Sequence, residues 1–228
     1  VEKILPYEKE VFLWLNDYHN TYWDTFMWMY TEKLSWLLLA IVALVVFVYK
    51  TNWKEALLLI ICATILGMLT DYFSANVIKP FFVRLRPSHH PDFYGLVEIV
   101  NNYRGGRYGF ISIHAANGFG IFVFSSLIFK YRYLTLTMAL WAIVSVYSRI
   151  YLGVHFLSDI MGGILWGTFA AFLVYYIYLT SRRYILKVPK EEVRIPVYSK
   201  DKAHILMATV GITVILIAIY SAIFDIPQ

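Results

Sequence analysis

The chain has 228 residues, 60% of them hydrophobic and 18% aromatic, with a mean hydropathy of +0.60 and a formal net charge of +5. That is too apolar for a soluble domain of ordinary composition and places the chain among membrane proteins. No basic stripe with interleaved aromatics points to nucleic acid, and the lone Cys62 excludes an intramolecular disulfide.

Residues 1–32 mix aromatics with acids, and no stretch in them is long or clean enough to span a bilayer. They read as one or two short amphipathic helices at the membrane interface, with His19 among them. This acidic start lacks the basic stub and apolar core of a cleavable signal peptide.

The apolar runs then predict six spans, at 34–49, 55–78, 110–129, 133–152, 154–179 and 204–224. The first is short, with Trp36 and Tyr49 as interfacial anchors. Asp71 lies inside the second. An intramembrane carboxylate is a functional candidate, but pairing with a polar group near the interface is the preferred reading here. Between spans two and three the polar segment 79–109 is long for a structureless loop, which usually signals function. Its RGGRYG run reads as a turn rather than a phosphate cradle. Gly163 and Gly167, four apart in the fifth span, suit close helix packing. The expected fold is all-α: a polytopic bundle of six transmembrane helices (33–228) behind the interfacial helices (1–32), together one domain over 1–228.

Turns 50–54 and 130–132 and the charged loop 181–203 fall on one side and carry eleven Lys and Arg residues. The positive-inside bias makes that side cytoplasmic. The chemistry-bearing residues all fall on the other side.

Three stretches carry that chemistry. Lys79, Arg86 and Pro87 stand as K-x6-R-P at the end of span two. Cations there can face the oxygens of a phosphoryl group, or simply snorkel to the interface. Ser112 and His114 lie at the mouth of span three. A hydroxyl beside the free amides of a starting helix can hold an anion, and a histidine can donate a proton. A capping serine and an interfacial histidine would look the same. Last come Ser148, Arg149, His155 and Asp159, spaced SRxxxxxHxxxD. On a helix, His155 and Asp159 would share a face. The carboxylate would then fix the imidazole tautomer and leave the second nitrogen free as nucleophile or base.

In this order and spacing, the three stretches resemble the signature motifs of the type 2 phosphatidic acid phosphatase family of integral membrane lipid phosphatases. The first and third match fully. The second departs, with Ile111-Ser112-Ile113-His114 where the family has Pro-Ser-Gly-His. The resemblance implies that Lys79, Arg86 and Arg149 bind the phosphate, helped by Ser112 and the amide of Ile113. It implies that His155, oriented by Asp159, forms a phosphohistidine, and that His114 protonates the leaving group. It implies no metal and no cofactor. The expected activity is removal of a phosphate or pyrophosphate head group from a membrane lipid, at the non-cytoplasmic face of a bacterial inner membrane. Lipid A and undecaprenyl pyrophosphate are favoured over phosphatidylglycerol phosphate and phosphatidic acid. The competing readings are a non-catalytic lipid-phosphate binder, motivated by Ile113, and a vanadium haloperoxidase, which six spans disfavour.

Overall fold

The computed structural model describes residues 2–224, which contain helices and turns and no strand. Two short helices open the chain, α1 (Leu5–Asn16) and α2 (Thr21–Thr31). Asn20 caps α2, its side chain accepting from the Trp23 amide at 2.9 Å. A 3-10 turn then leads into α3 (Leu37–Val48), and the axis bends by 65° between α2 and this stretch.

The next helix runs for 30 residues, Trp53–Phe82. It begins as α4 (Trp53–Gly67), capped by Asn52, winds with π-type hydrogen bonds over Met68–Ile78, and ends as α5 (Lys79–Phe82). After the polar segment come α6 (Ile113–Phe129), α7 (Arg132–Tyr151), α8 (Leu157–Tyr184) and α9 (Lys200–Ile223). Among the described residues four helices are long and apolar enough to cross a bilayer: Trp53–Phe82, α7, α8 and α9. A fifth is reached if the bent pair of α2 and the 33–48 stretch counts as one span. The remaining expected span, the third at 110–129, corresponds to α6, apolar but only 17 residues long. At 1.5 Å per residue it covers about 25 Å, short of a hydrocarbon core of about 30 Å.

Helix α6 is the centre of the bundle and packs along α7 and α8. Gly163 and Gly167 make this possible. A Cβ at Gly163 would run into the Ser112 carbonyl and Ala115, and one at Gly167 into the Ala116 backbone. Small residues let two backbones touch, and here the contact fixes the first turn of α6 against α8.

The basic end is tied together by its own side chains. Arg182 pairs with Glu55 at 2.8 Å and also donates to the carbonyls of Val193 and Ile195. Lys202 reaches the Tyr49 carbonyl at 2.6 Å, and Lys130 the Arg194 carbonyl at 2.7 Å. These contacts hold Arg182 and Lys202 in helix, so α8 and α9 extend into the 181–203 stretch expected to be loop.

Candidate active site

His155 is not on a helix. α8 starts two residues later, with Phe156 as its N-cap. Asp159 sits in the first helical turn and its Oδ2 accepts from the Phe156 amide at 3.1 Å. The same oxygen lies 3.4 Å from His155 Nδ1. The expected sharing of one helix face is therefore replaced by a carboxylate that reaches back over its own N-cap, as acidic residues do at a helix start. The other ring nitrogen, Nε2, is 2.8 Å from Arg86 Nη1. A guanidinium can only donate, so Nε2 carries the lone pair and Nδ1 the proton facing Asp159. Burial, reinforced by Arg86, holds the imidazole well below the ordinary histidine range, so it is neutral at pH 7.

Arg84 and Arg86 leave the polar segment together. An antiparallel bridge between Leu85 and Tyr108, with hydrogen bonds Gly109 N to Arg84 O (2.8 Å) and Arg86 N to Arg107 O (3.2 Å), pins this stretch. Both guanidinium groups turn inward and fan to opposite sides of the His155–Asp159 pair. Arg84, 1% exposed, donates to Asp159 Oδ1 at 2.8 Å and also binds Ser158 Oγ and Glu8 Oε1. Glu8, on α1, takes the Ser158 amide on its second oxygen at 2.9 Å. An aromatic cluster of Phe12, Phe93 and Phe156 packs α1 against this layer, with ring centroids 5.0–5.9 Å apart.

Arg86 and Arg149 lie on the other side, 9% and 2% exposed. Among the described residues neither has a carboxylate within ion-pair distance. Arg86 spends Nη1 on His155 and the Val154 carbonyl, and Arg149 donates to Thr31 Oγ1 at 2.7 Å. The Nε of each is buried without a partner. Burial, and next the charge of Arg149, bring Arg86 down to about 10, which still leaves it a cation at neutral pH. Both line one cavity of about 410 Å³ with Ile113, His114 and His155. This is a cation-rich pocket in a low-dielectric setting, where an anion gains most.

A family model described as the PAP2 superfamily matches residues 56–183. The chain belongs to the PAP2 superfamily. It is 41% identical over 184 residues to a lipid A 4'-phosphatase of Porphyromonas gingivalis, covering 80% of this chain and 77% of the relative. It is 34% identical over 178 residues to a lipid A 4'-phosphatase of Bacteroides thetaiotaomicron, covering 78% and 79%. The fold is similar to the crystal structure of a transmembrane PAP2-type phosphatidylglycerolphosphate phosphatase from Bacillus subtilis. That match has a TM-score of 0.60 at 20% identity, over 81% of this chain and 90% of that one. These relatives are phosphatases, and the chain is an integral membrane phosphatase of the PAP2 family.

Of the residues singled out by the PAP2 motifs, Arg86, Ile113, His114, Arg149 and His155 line the cavity. Asp159 stands behind His155. Lys79 faces backbone, donating to the carbonyls of Gly109 (2.8 Å) and Tyr108 (3.2 Å). Ser112 is the N-cap of α6, its amide bound to the Asp159 carbonyl at 2.9 Å. Ser148 is buried and turned back onto its own helix, 2.7 Å from the Ser145 carbonyl. The sequence reading did not reach Glu8, Arg84, Thr31, Tyr103 or Lys33, the last three being cavity residues. For Arg84 the only signal was its place two residues before Arg86. Glu8 lies 76 positions from Arg84 and had no local signal at all.

Proposed function

We propose that this enzyme removes the 4'-phosphate of lipid A through a phosphohistidine at His155. The observation that carries the chemistry is the pair of buried arginines Arg86 and Arg149, with no carboxylate within ion-pair distance among the described residues, in one cavity with His155. The two relatives named as lipid A 4'-phosphatases support the choice of lipid. An incoming dianion takes the guanidinium of Arg86 as its partner and so releases the Nε2 lone pair. Nε2 then attacks phosphorus in line. The N–P bond forms, the P–O bond to the sugar breaks, and His114 gives its proton to the departing oxygen. Water attacks next, its oxygen bonding to phosphorus as the N–P bond breaks, and its proton returns to His114. Asp159 holds the Nδ1 proton throughout and stabilises the charge that builds on the ring. Arg86 and Arg149 offset the charge on the equatorial oxygens. The Ile113 amide contributes from the first turn of α6, while Lys79 and Ser112, bound to backbone, hold the chain that leads into that turn.

A site at the ends of several spans meets a phosphate head group while the tails stay in hydrocarbon. Lifting them out would cost about 0.8 kcal/mol per CH₂. The positive-inside bias of the basic loops supports a site facing the periplasm from the inner membrane. A pure binder would need the arginines but gains nothing from an Asp-oriented histidine. The test is phosphate release by purified protein from a panel of lipid A, undecaprenyl pyrophosphate, phosphatidylglycerol phosphate and phosphatidic acid. Mass spectrometry of the lipid A product should show loss of the 4'-phosphate. Turnover of the other three lipids and none of lipid A would overturn the substrate assignment.

A further inference from the structure

The cationic cavity shares part of its lining with a neighbour. Asp71 and Asn117 line it, and both also line a second cavity of about 420 Å³. The rest of that second lining is largely apolar, with Leu39, Phe47, Leu66, Ile121 and Phe124 among it. The two spaces meet at this one polar pair. We infer that Asp71 and Asn117 are a specificity element that reads hydrogen-bond donors on the substrate, in the stretch between its phosphate and its hydrocarbon chains. The inference rests on the phosphatase reading of the neighbouring cavity.

Asp71 sits in the Trp53–Phe82 helix, where a carboxylate is costly unless something needs it. Among the described residues it has no ion-pair partner, and its one hydrogen bond is a long one, from Asn117 Nδ2 at 3.3 Å. A residue kept for structure alone would be expected to be better satisfied, as Glu8 and Glu55 are. It stands in the π-wound stretch, a form of helix often found at functional sites.

An ionised carboxylate only accepts. With its amide nitrogen turned to Asp71, Asn117 presents its carbonyl oxygen, another acceptor. A ligand bridging the two cavities must therefore bring N–H or O–H groups to the junction. A phosphorylated, N-acylated amino sugar has amide N–H and hydroxyl groups between its phosphate and its chains. A polyprenyl phosphate has only carbon there and would strip water from the carboxylate without replacing it. A pyrophosphate would bring a second anion toward Asp71. Asp71 is exposed at the junction and Asn117 half-buried, and the junction thus favours the acylated sugar against both, because acceptors stripped of water without gaining a donor cost binding.

The experiment uses two substrates in the same mixed micelles, a phosphorylated N-acylated glucosamine lipid and farnesyl phosphate. Asp71→Ala and Asn117→Ala should each lower the ratio of kcat/KM for the sugar lipid over the prenyl phosphate by about tenfold or more. Asp71→Asn, close in shape, should fall between wild type and Asp71→Ala. A fall by the same factor on both substrates, or no change in the ratio, would overturn the inference. Binding of the sugar lipid to His155→Ala, against His155→Ala with Asp71→Ala, needs no turnover and should show a Kd about tenfold weaker in the double variant. An unchanged Kd would sink the specificity role even if wild type proved inactive on every lipid, and such inactivity would count against the phosphatase reading alone.

Discussion

The two sides of the His155–Asp159 pair hold the same kind of residue in different company. Behind it, Arg84 is buried among carboxylates, with Asp159 and Glu8 both in contact and Ser158 between them. In front, Arg86 and Arg149 are buried with no carboxylate within ion-pair distance among the described residues. Arg84 and Arg86 are two positions apart in one pinned stretch, so local sequence cannot explain the contrast. The partner does. A buried cation whose charge is balanced by protein holds the frame, and removing it strands its partners. A buried cation left unbalanced costs stability and makes sense only if an anion arrives.

The strongest way to break this comparison is to remove the group that stands between the two sides. His155→Ala should abolish turnover, and alkali-quenched reactions with labelled substrate, which preserve an N–P bond, should contain phosphoprotein for wild type and none for the variant. Turnover at the wild-type rate would show that another group attacks phosphorus. Next, Arg149→Met should lower kcat/KM by about 10² or more, while its thermal midpoint in detergent stays at or above that of wild type. Arg84→Met should do the reverse in stability. It leaves the Glu8 and Asp159 carboxylates stranded and should cost about 3–5 kcal/mol, read from unfolding in detergent. Similar midpoints for the two variants would erase the distinction between front and back.

Two smaller effects sharpen it. His155 is neutral in the folded protein because burial and Arg86 depress its pKa, whereas the unfolded chain takes up the proton near 6.5. Stability should therefore fall as the pH drops below about 6.5, by up to 1.36 kcal/mol per pH unit from this residue. His155→Asn should flatten that fall when midpoints at pH 7.5 and 5.5 are compared. Finally, Ile113→Gly should preserve activity or raise it modestly, since Ile113 lines the cavity with a branched side chain and its amide is the useful part. A large loss would make that side chain a fitted wall of the pocket.

Much of this was legible in the chain itself. Motif spacing led to five residues that share one cavity, because each motif sits at the end of an apolar run and the runs pack side by side. Gly163 and Gly167 announced a close helix contact, and Ala116 and the Ser112 carbonyl are what they touch. Other features were not legible. The helix register suggested by His155 and Asp159 gave way to an N-cap arrangement, because four positions can bridge a helix start as well as a helix turn. The 79–109 segment hid Arg84, whose meaning depends on Glu8 far away in sequence. Asp71 could be noticed as an oddity inside a span, but its place between two cavities depends on how α6 packs against the π-wound stretch.

The first helix matters more than its position at the edge of the chain suggests. Besides Glu8 it carries Asn16, 1% exposed, which clamps the carbonyls of Ile150 (3.1 Å) and Tyr151 (2.8 Å) and takes the Glu98 amide at 2.9 Å. A version of the protein trimmed back to its signature motifs would keep every residue those motifs name and lose the brace that aligns them. Preparations shortened or proteolytically nicked ahead of residue 17 should be checked before any loss of turnover is blamed on the chemistry.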